Sequence, residues 1–370
     1  MANKPGCRKK YSYYPFVDFP TYLEIKIYLG EICRTYPHLA EIEIIGITTQ
    51  MAEIYMIKLQ KDACSSKSKA RDIVFVDATI HAREWLSTST AMYLINYIIL
   101  NHHILDHINY YIVPCVNVDG YIFSMENKCY RLWRKNRTLN CSSDVTLQGV
   151  DLNRNFPIGF SLPGSSDDPG SFNYRGEEPL SEPASKAMSF AINKYCKKII
   201  LYISLHCYGN AILYPWSFTK APIPDCQDLF ECAMHGRNAI CKHSEGKRKM
   251  RVGNAAKIMN LAAGTSTDYA RYVHGIKFSY IFELQGYGTS GFTPHKKHIP
   301  SIGFETTMAI FAMARHAQVY YQRRRCKKVT ADIIIDENDG DDENDDCKPC
   351  PKKKKKTCSS CPPPSKESVE

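Results

Sequence analysis

Hydrophobic positions fall into short runs separated by polar turns. Ile73-Val74-Phe75-Val76 has the length of a buried strand and leads straight into Asp77-Ala78-Thr79-Ile80-His81-Ala82-Arg83-Glu84-Trp85. Ile42 to Ile47 and Glu53 to Leu59 alternate as half-buried strands do, with Thr48-Thr49-Gln50 between them as a hairpin turn. Asn109 to Val118, Ile199 to His206 and Lys277 to Leu284 predict three more strands, the first ending in a turn at Asn117-Val118-Asp119-Gly120. Helices are predicted from about Ser87 to Asn101, from Ser181 as N-cap to about Tyr195, from Asp225 to Lys242, from Thr265 onward, and from Pro300 to Gln322. Thr21 to Tyr36 reads both ways: its first apolar residues alternate like a strand, whereas its length and the preceding Pro20-Thr21 suit a helix. Phe123 to Pro179, rich in Gly, Pro, Ser and Asp, predicts a long loop region. Strands interleaved with helices argue for one α/β domain with helices on both faces of the sheet.

Composition sets the limits of that domain. Residues 1–11 predict a loose arm, 12–325 the folded domain, and 326–370 a charged tail. In the tail, Asp336 to Asp346 holds eight acidic residues in eleven and Lys352 to Lys356 is a run of five lysines. Blocks of like charge repel and bury no core, so the tail predicts disorder. Its Cys347-x-x-Cys350 and Cys358-x-x-Cys361 have the spacing of a zinc site, but no apolar residue between them could pack beneath a metal. The net charge of +10 comes without a helix-turn-helix, zinc-finger or RNP pattern, so no nucleic-acid partner is expected. No apolar run is long enough for a membrane span. Sixteen cysteines and the sequons Asn136-Arg137-Thr138 and Asn140-Cys141-Ser142 suit an oxidising, extracellular setting. The N-terminus does not read as a signal peptide, because no apolar region follows its charges.

The chemistry centres on His81 and Glu84, three positions apart where a strand ends. An imidazole and a carboxylate at that spacing suit Zn²⁺, which takes nitrogen and oxygen donors and needs a third protein ligand. His206, at the carboxyl end of another strand, completes a His₂Glu set with an open position for water. Glu283 sits among Phe278, Tyr280, Ile281, Phe282 and Leu284, where a carboxylate is costly unless paired or catalytic. Beside a zinc site it reads as a general base for the attacking water. The loop region contributes Arg131-Leu-Trp-Arg134-Lys-Asn-Arg137 and Asp151-Leu-Asn153-Arg154-Asn-Phe156. Arginines there could hold an oxyanion or grip a carboxylate bidentately.

These segments, with His81-Ala-Arg-Glu84-Trp85, Asn117-Val-Asp-Gly-Tyr121, Ser204-Leu-His206 and Phe282-Glu283-Leu284, resemble the zinc metallocarboxypeptidases of the pancreatic A/B type, in the family's order and close to its spacings. The resemblance implies a mixed eight-stranded sheet flanked by helices and one Zn²⁺ held by His81, Glu84 and His206. It implies Glu283 as general base and acid, and Arg134 on the carbonyl and oxyanion. Asn153 and Arg154 would grip a free C-terminal carboxylate, with Arg83 and Tyr208 contacting substrate nearby. The expected partner is a peptide or protein C-terminus, met by a secreted monomer. Position by position there are departures. Asn260 stands where the family has a mobile tyrosine, Gln285 where it commonly has an arginine, and Leu147 and about Gly170 where it has a disulfide. The resemblance puts Thr267 in the specificity pocket with Ala255, Ala262 and Ile281. A neutral pocket favours apolar or aromatic C-terminal residues, the A-type preference; a one-residue slip would bring in Asp268 and favour basic ends.

Overall fold

The structure, a computed structural model, describes residues 15–61, 71–126, 128–139, 143–286 and 291–337, with side chains up to 325. Residues 326–337 of the predicted tail are helical, whereas the acidic block beyond Glu337, the lysine run, the tail's cysteine pairs and the sequon at Asn140 lie outside the described residues. The chain divides into two units, Met1–Arg323 and Arg324–Glu370, and every strand belongs to the first.

In chain order the elements are α1 (Tyr22–Thr35), β1 (Ala40–Ile47), β2 (Glu53–Leu59), β3 (Asp72–Ala78), α2 (Trp85–Leu100), β4 (Ile108–Val113), α3 (Val118–Glu126) and α4 (Pro183–Tyr195). They continue with β5 (Ile199–Cys207), β6 (Ala211–Tyr214), α5 (Cys226–His243), β7 (Arg251–Asn254), α6 (Ala255–Ile258), α7 (Ser266–His274), β8 (Ser279–Leu284) and α8 (Ile299–Glu337). The ambiguous segment after Pro20 is helical. Thr21 and Glu24 form a reciprocal capping box, and Ile25, Leu29 and Ile32 bury one stripe while Leu23 and Ile27 stay exposed. Helix α2 is apolar almost all round and buried accordingly; its Asn96 is satisfied by the Tyr28 hydroxyl at 2.5 Å. The predicted turn at Asn117–Gly120 is instead the entry to α3, because the Asn117 side chain accepts from the Gly120 N–H and its carbonyl from the Tyr121 N–H.

The eight strands make one mixed sheet in the order β1-β2-β4-β3-β5-β8-β6-β7. Its middle is parallel (β4, β3, β5, β8), and antiparallel pairs join β1 to β2, β2 to β4 and β6 to β8. Every residue of β5 is buried, as a central strand covered on both faces requires. Strands β6 and β7, four residues each, were not anticipated from the sequence. The register matters most in the middle: Asp77 pairs with Ser204, and His206 pairs with Glu283. The carboxyl ends of β3, β5 and β8 therefore open side by side, which is where α/β sheets bind ligands.

Candidate active site

The chain leaves β3 through Thr79, a β-branched residue held at φ 55°. That conformation is secured by Ser87, whose hydroxyl accepts the Thr79 N–H at 3.1 Å and lies 2.8 Å from its Oγ1. The turn it creates brings His81 and Glu84 back over the sheet, with Glu84 at the mouth of α2. His81 Nδ1 lies 2.7 Å from Glu84 Oε1, His206 Nδ1 lies 3.1 Å from Glu84 Oε2, and the two Nδ1 atoms are 3.2 Å apart. All three residues are buried, and one ligand atom from each lies within 4.8 Å of the others.

Proton accounting around the rings shows which nitrogens are left for a metal. His81 Nε2 lies 3.2 Å from Asp151 Oδ1, an acceptor, so it carries the hydrogen. His206 Nε2 lies 3.1 Å from Ser204 Oγ, and that hydroxyl spends its single proton on Asp77 Oδ1 at 2.8 Å. Ser204 can then only accept from His206 Nε2–H. Both imidazoles are left with a bare Nδ1 turned toward one carboxylate, the donor set and outer support that suit Zn²⁺. Burial works against charge on Glu84, but the two imidazoles outweigh it and hold its pKa well below the carboxylate range. Burial, aided by Arg134, pulls His81 below the usual imidazole value.

Glu283 faces the same space from β8. Burial pushes its pKa up to about 7, and its Oε2 has no hydrogen-bond partner among the described residues. Gly209 makes room for it: a Cβ there would come within 2.8 Å of Glu283 Cβ. Asp151 organises the arginines, accepting from Arg134 Nε at 2.9 Å and Nη2 at 2.6 Å and from the Asn153 N–H at 3.0 Å. Arg154 donates to the Gly164 and Asn153 carbonyls. One cavity of about 300 Å³ is lined by His81, Arg83, Glu84, Arg134, Asn153, Arg154, His206, Tyr208, Asn260 and Glu283.

Residues 25–309 match the family model described as zinc carboxypeptidase. The chain belongs to the zinc carboxypeptidase family. It is 32% identical over 310 residues to "Carboxypeptidase B" of Astacus astacus, covering 83% of this chain and 99% of that one. It is also 31% identical to "Carboxypeptidase A6" of Homo sapiens, covering 84% and 70% of the two chains. Among solved structures, bovine thrombin-activatable fibrinolysis inhibitor in complex with tick carboxypeptidase inhibitor superposes with a TM-score of 0.75 at 30% identity, covering 83% of this chain and 99% of that one. The carboxypeptidase A of Helicoverpa armigera gives the same TM-score at 26% identity, covering 81% and 74%. This chain is thus a metallocarboxypeptidase by family, and the family implies zinc at the His-Glu-His cluster.

Thr267 is the one predicted site residue of this carboxypeptidase that does not line the cavity; Thr265 does. Thr267 lies in the first turn of α7, buried, with its Oγ1 3.5 Å from that of Thr265. Leu213, Ala255, Ala262 and Ile281 supply apolar wall, and Ser217 joins them. Asp268 stays out of the cavity, its carboxylate accepting from the Ser217 and Phe218 N–H groups. Burial raises its pKa to about 7 against those hydrogen bonds. Asp151, Asp77 and Ser204 escaped prediction as supporting residues. For Asp77 and Ser204 the only available signal was a polar side chain in an apolar strand; Asp151, in the loop region before Leu152–Arg154, carried no such signal.

Asn136 is buried and its amide donates to Glu182 Oε2 at 2.5 Å, so that sequon is closed to modification in the folded chain. Cys33, Cys115, Cys196, Cys207, Cys226, Cys232 and Cys241 carry free thiols, and at the two positions where the family has its disulfide this chain has Leu147 and Gly170, where a Cβ on Gly170 would sit 3.4 Å from Leu147 Cδ2. No described helix is long and apolar enough to cross a membrane.

Proposed function

We propose that this chain removes single C-terminal residues with apolar or aromatic side chains from peptides. The observation that carries the reading is that two bare imidazole nitrogens, the Glu84 carboxylate and Glu283 Oε2, unpartnered among the described residues, belong to residues lining the cavity that Asn153 and Arg154 also line. Arg154 has its Nε and Nη1 occupied, which leaves Nη2, with the Asn153 amide, to take the substrate's terminal carboxylate. That contact selects chain ends over internal bonds. Arg134 is held by Asp151 through Nε and Nη2, so Nη1 is positioned for the oxyanion that develops on the scissile carbonyl. His81, Glu84 and His206 would hold Zn²⁺, which when bound would supply Lewis-acid polarisation of that carbonyl and a lowered pKa for water. Glu283 takes the proton from water and returns it to the departing amine. Arg83 and Tyr208 border the side where the rest of the peptide lies.

The apolar wall and the absence of a carboxylate from it support apolar over basic C-terminal side chains, since a buried unpaired cation is expensive. The test compares peptides ending in Phe, Leu, Lys and Arg, with and without a zinc chelator. Release of Phe and Leu, lost on chelation and regained with Zn²⁺, is expected. Release of Lys or Arg alone would replace the proposal with a basic-end enzyme. Glu283→Gln should lower kcat by about 10²- to 10⁴-fold while peptide binding persists; binding lost in parallel would contradict its role as base.

A further inference from the structure

Helices α5 and α8 approach closely at Gly236, where a Cβ would stand 2.7 Å from Met313 Sδ and 3.0 Å from Ile212 Cδ1. The Cys232 thiol, one turn earlier on α5, donates to the Met313 carbonyl at 3.7 Å. This contact brings two imidazoles together: His235 beside Gly236, and His316 three residues after Met313. Their ring centroids lie 4.7 Å apart with the planes at 38°. The His81 and His206 rings stand at 4.9 Å and 57°, so the two pairs are spaced alike. Phe278 meets the His316 ring in a T-shaped contact at 6.0 Å and steadies it. His235 is exposed and His316 half-buried, which leaves the pair open to solvent. Neither imidazole hydrogen-bonds to another described residue.

We propose that His235 and His316 form a second metal site, which takes Zn²⁺, Ni²⁺ or Cu²⁺ and ties α8 to α5. Imidazole nitrogen suits these three ions, whereas Mg²⁺ and Ca²⁺ prefer oxygen donors. A ring binds through a bare nitrogen, and His316 keeps one at neutral pH. Burial and His235 lower its pKa, with Arg323 on the same side, against the opposing carboxylates Glu231 and Asp228. Asp228 is committed to Lys277 at 2.7 Å. Glu231 lies four residues before His235, on the same face of α5. Among the described residues it has only Oε1 engaged, by the Gln227 amide at 2.9 Å. Two imidazoles thus supply the fixed ligands, and water or Glu231 completes the shell. Only the His81-Glu84-His206 cluster brings three donors within 4.8 Å of one another among the described residues, so the second site is the weaker and exchanges its metal. Because its ligands come from different helices, the ion binds the folded chain and stabilises it by mass action.

The experiment loads the full chain with one equivalent of Zn²⁺ and titrates it with Ni²⁺ by calorimetry, beside His235→Ala and His316→Phe. The wild type should take up one more equivalent than either variant, since each substitution leaves a single imidazole. Cysteines and other histidines bind Ni²⁺ alike in all three proteins, so the difference between them isolates the pair. Excess Ni²⁺ should raise the Tm of the wild type by about 3 °C relative to the same shift in either variant. Neither residue lines the catalytic cavity, so peptide hydrolysis by the Zn²⁺-loaded variants should be unchanged. Equal uptake by all three proteins would overturn the proposal, as would an equivalent lost with only one of two folded variants. His235 is exposed, so His235→Ala decides the matter alone if His316→Phe fails to fold.

Discussion

Single side chains decide how well the metal centre is built. Ser204 is the clearest case, because its one proton is committed to Asp77 and its lone pair fixes the His206 tautomer. Ser204→Ala leaves a buried ring N–H without an acceptor and frees the ring to turn. Zn²⁺ affinity, measured by competition with a chelator, should fall about 10- to 100-fold; a change under twofold would show that Ser204 merely fills space. Asn260 makes a different point. It is exposed, lines the cavity and makes no hydrogen bond to other described residues. Asn260→Tyr should lower KM several-fold with kcat nearly unchanged, since a phenol adds contact to bound peptide without touching Glu283 or Arg134; unchanged Michaelis constants would refute this. At this scale the sequence was informative about the residues that the structure gathers round the cavity and silent about those that support them. His81, Glu84, His206 and Glu283 stand at strand ends where a polar group has no structural excuse. Asp151 and Asp77 find their partners 70 and 127 positions away, separations that no local pattern encodes.

Elements were legible wherever the apolar period ran for a full strand or helix. Strand β5 and helices α4 and α5 follow that rule, whereas β6 and β7 are too short for alternation to register. The α1 ambiguity could have been settled from the sequence, because Thr21-x-x-Glu24 spells a capping box. Ion pairs between elements are invisible until the fold assembles them. Asp225, at the start of α5, meets Arg271 of α7 at 2.7 Å and Lys277, just before β8, at 2.5 Å. Burial opposes its charge, but Lys277 and Arg271 prevail and lower its pKa. A carboxyl depressed on folding stabilises the protein above its unfolded pKa of about 3.9 and ceases to do so as pH falls through the folded value. Asp225→Asn should therefore cost about 1 kcal/mol at pH 7 and progressively less below pH 4, read from urea denaturation at both ends. An equal cost at pH 7 and pH 3 would mean that packing, not charge, is responsible.

Taken whole, the molecule separates the residues proposed to do the chemistry from those proposed to hold the substrate. His206 and Glu283 are hydrogen-bond neighbours on β5 and β8, so a ladder in the middle of an eight-stranded sheet sets their spacing, about 4.8 Å between strands. Asn153, Arg154, Asn260 and Tyr208 stand outside the strands. Warming should loosen the second group first, because segments outside the ladder open at lower free energy than central strands. KM should then climb some degrees below the temperature at which the sheet melts, with kcat still rising over that interval; parallel collapse of both would argue against the separation. A catalyst arranged this way can have its appetite rewritten at the rim while its cutting distance stays woven into the fabric.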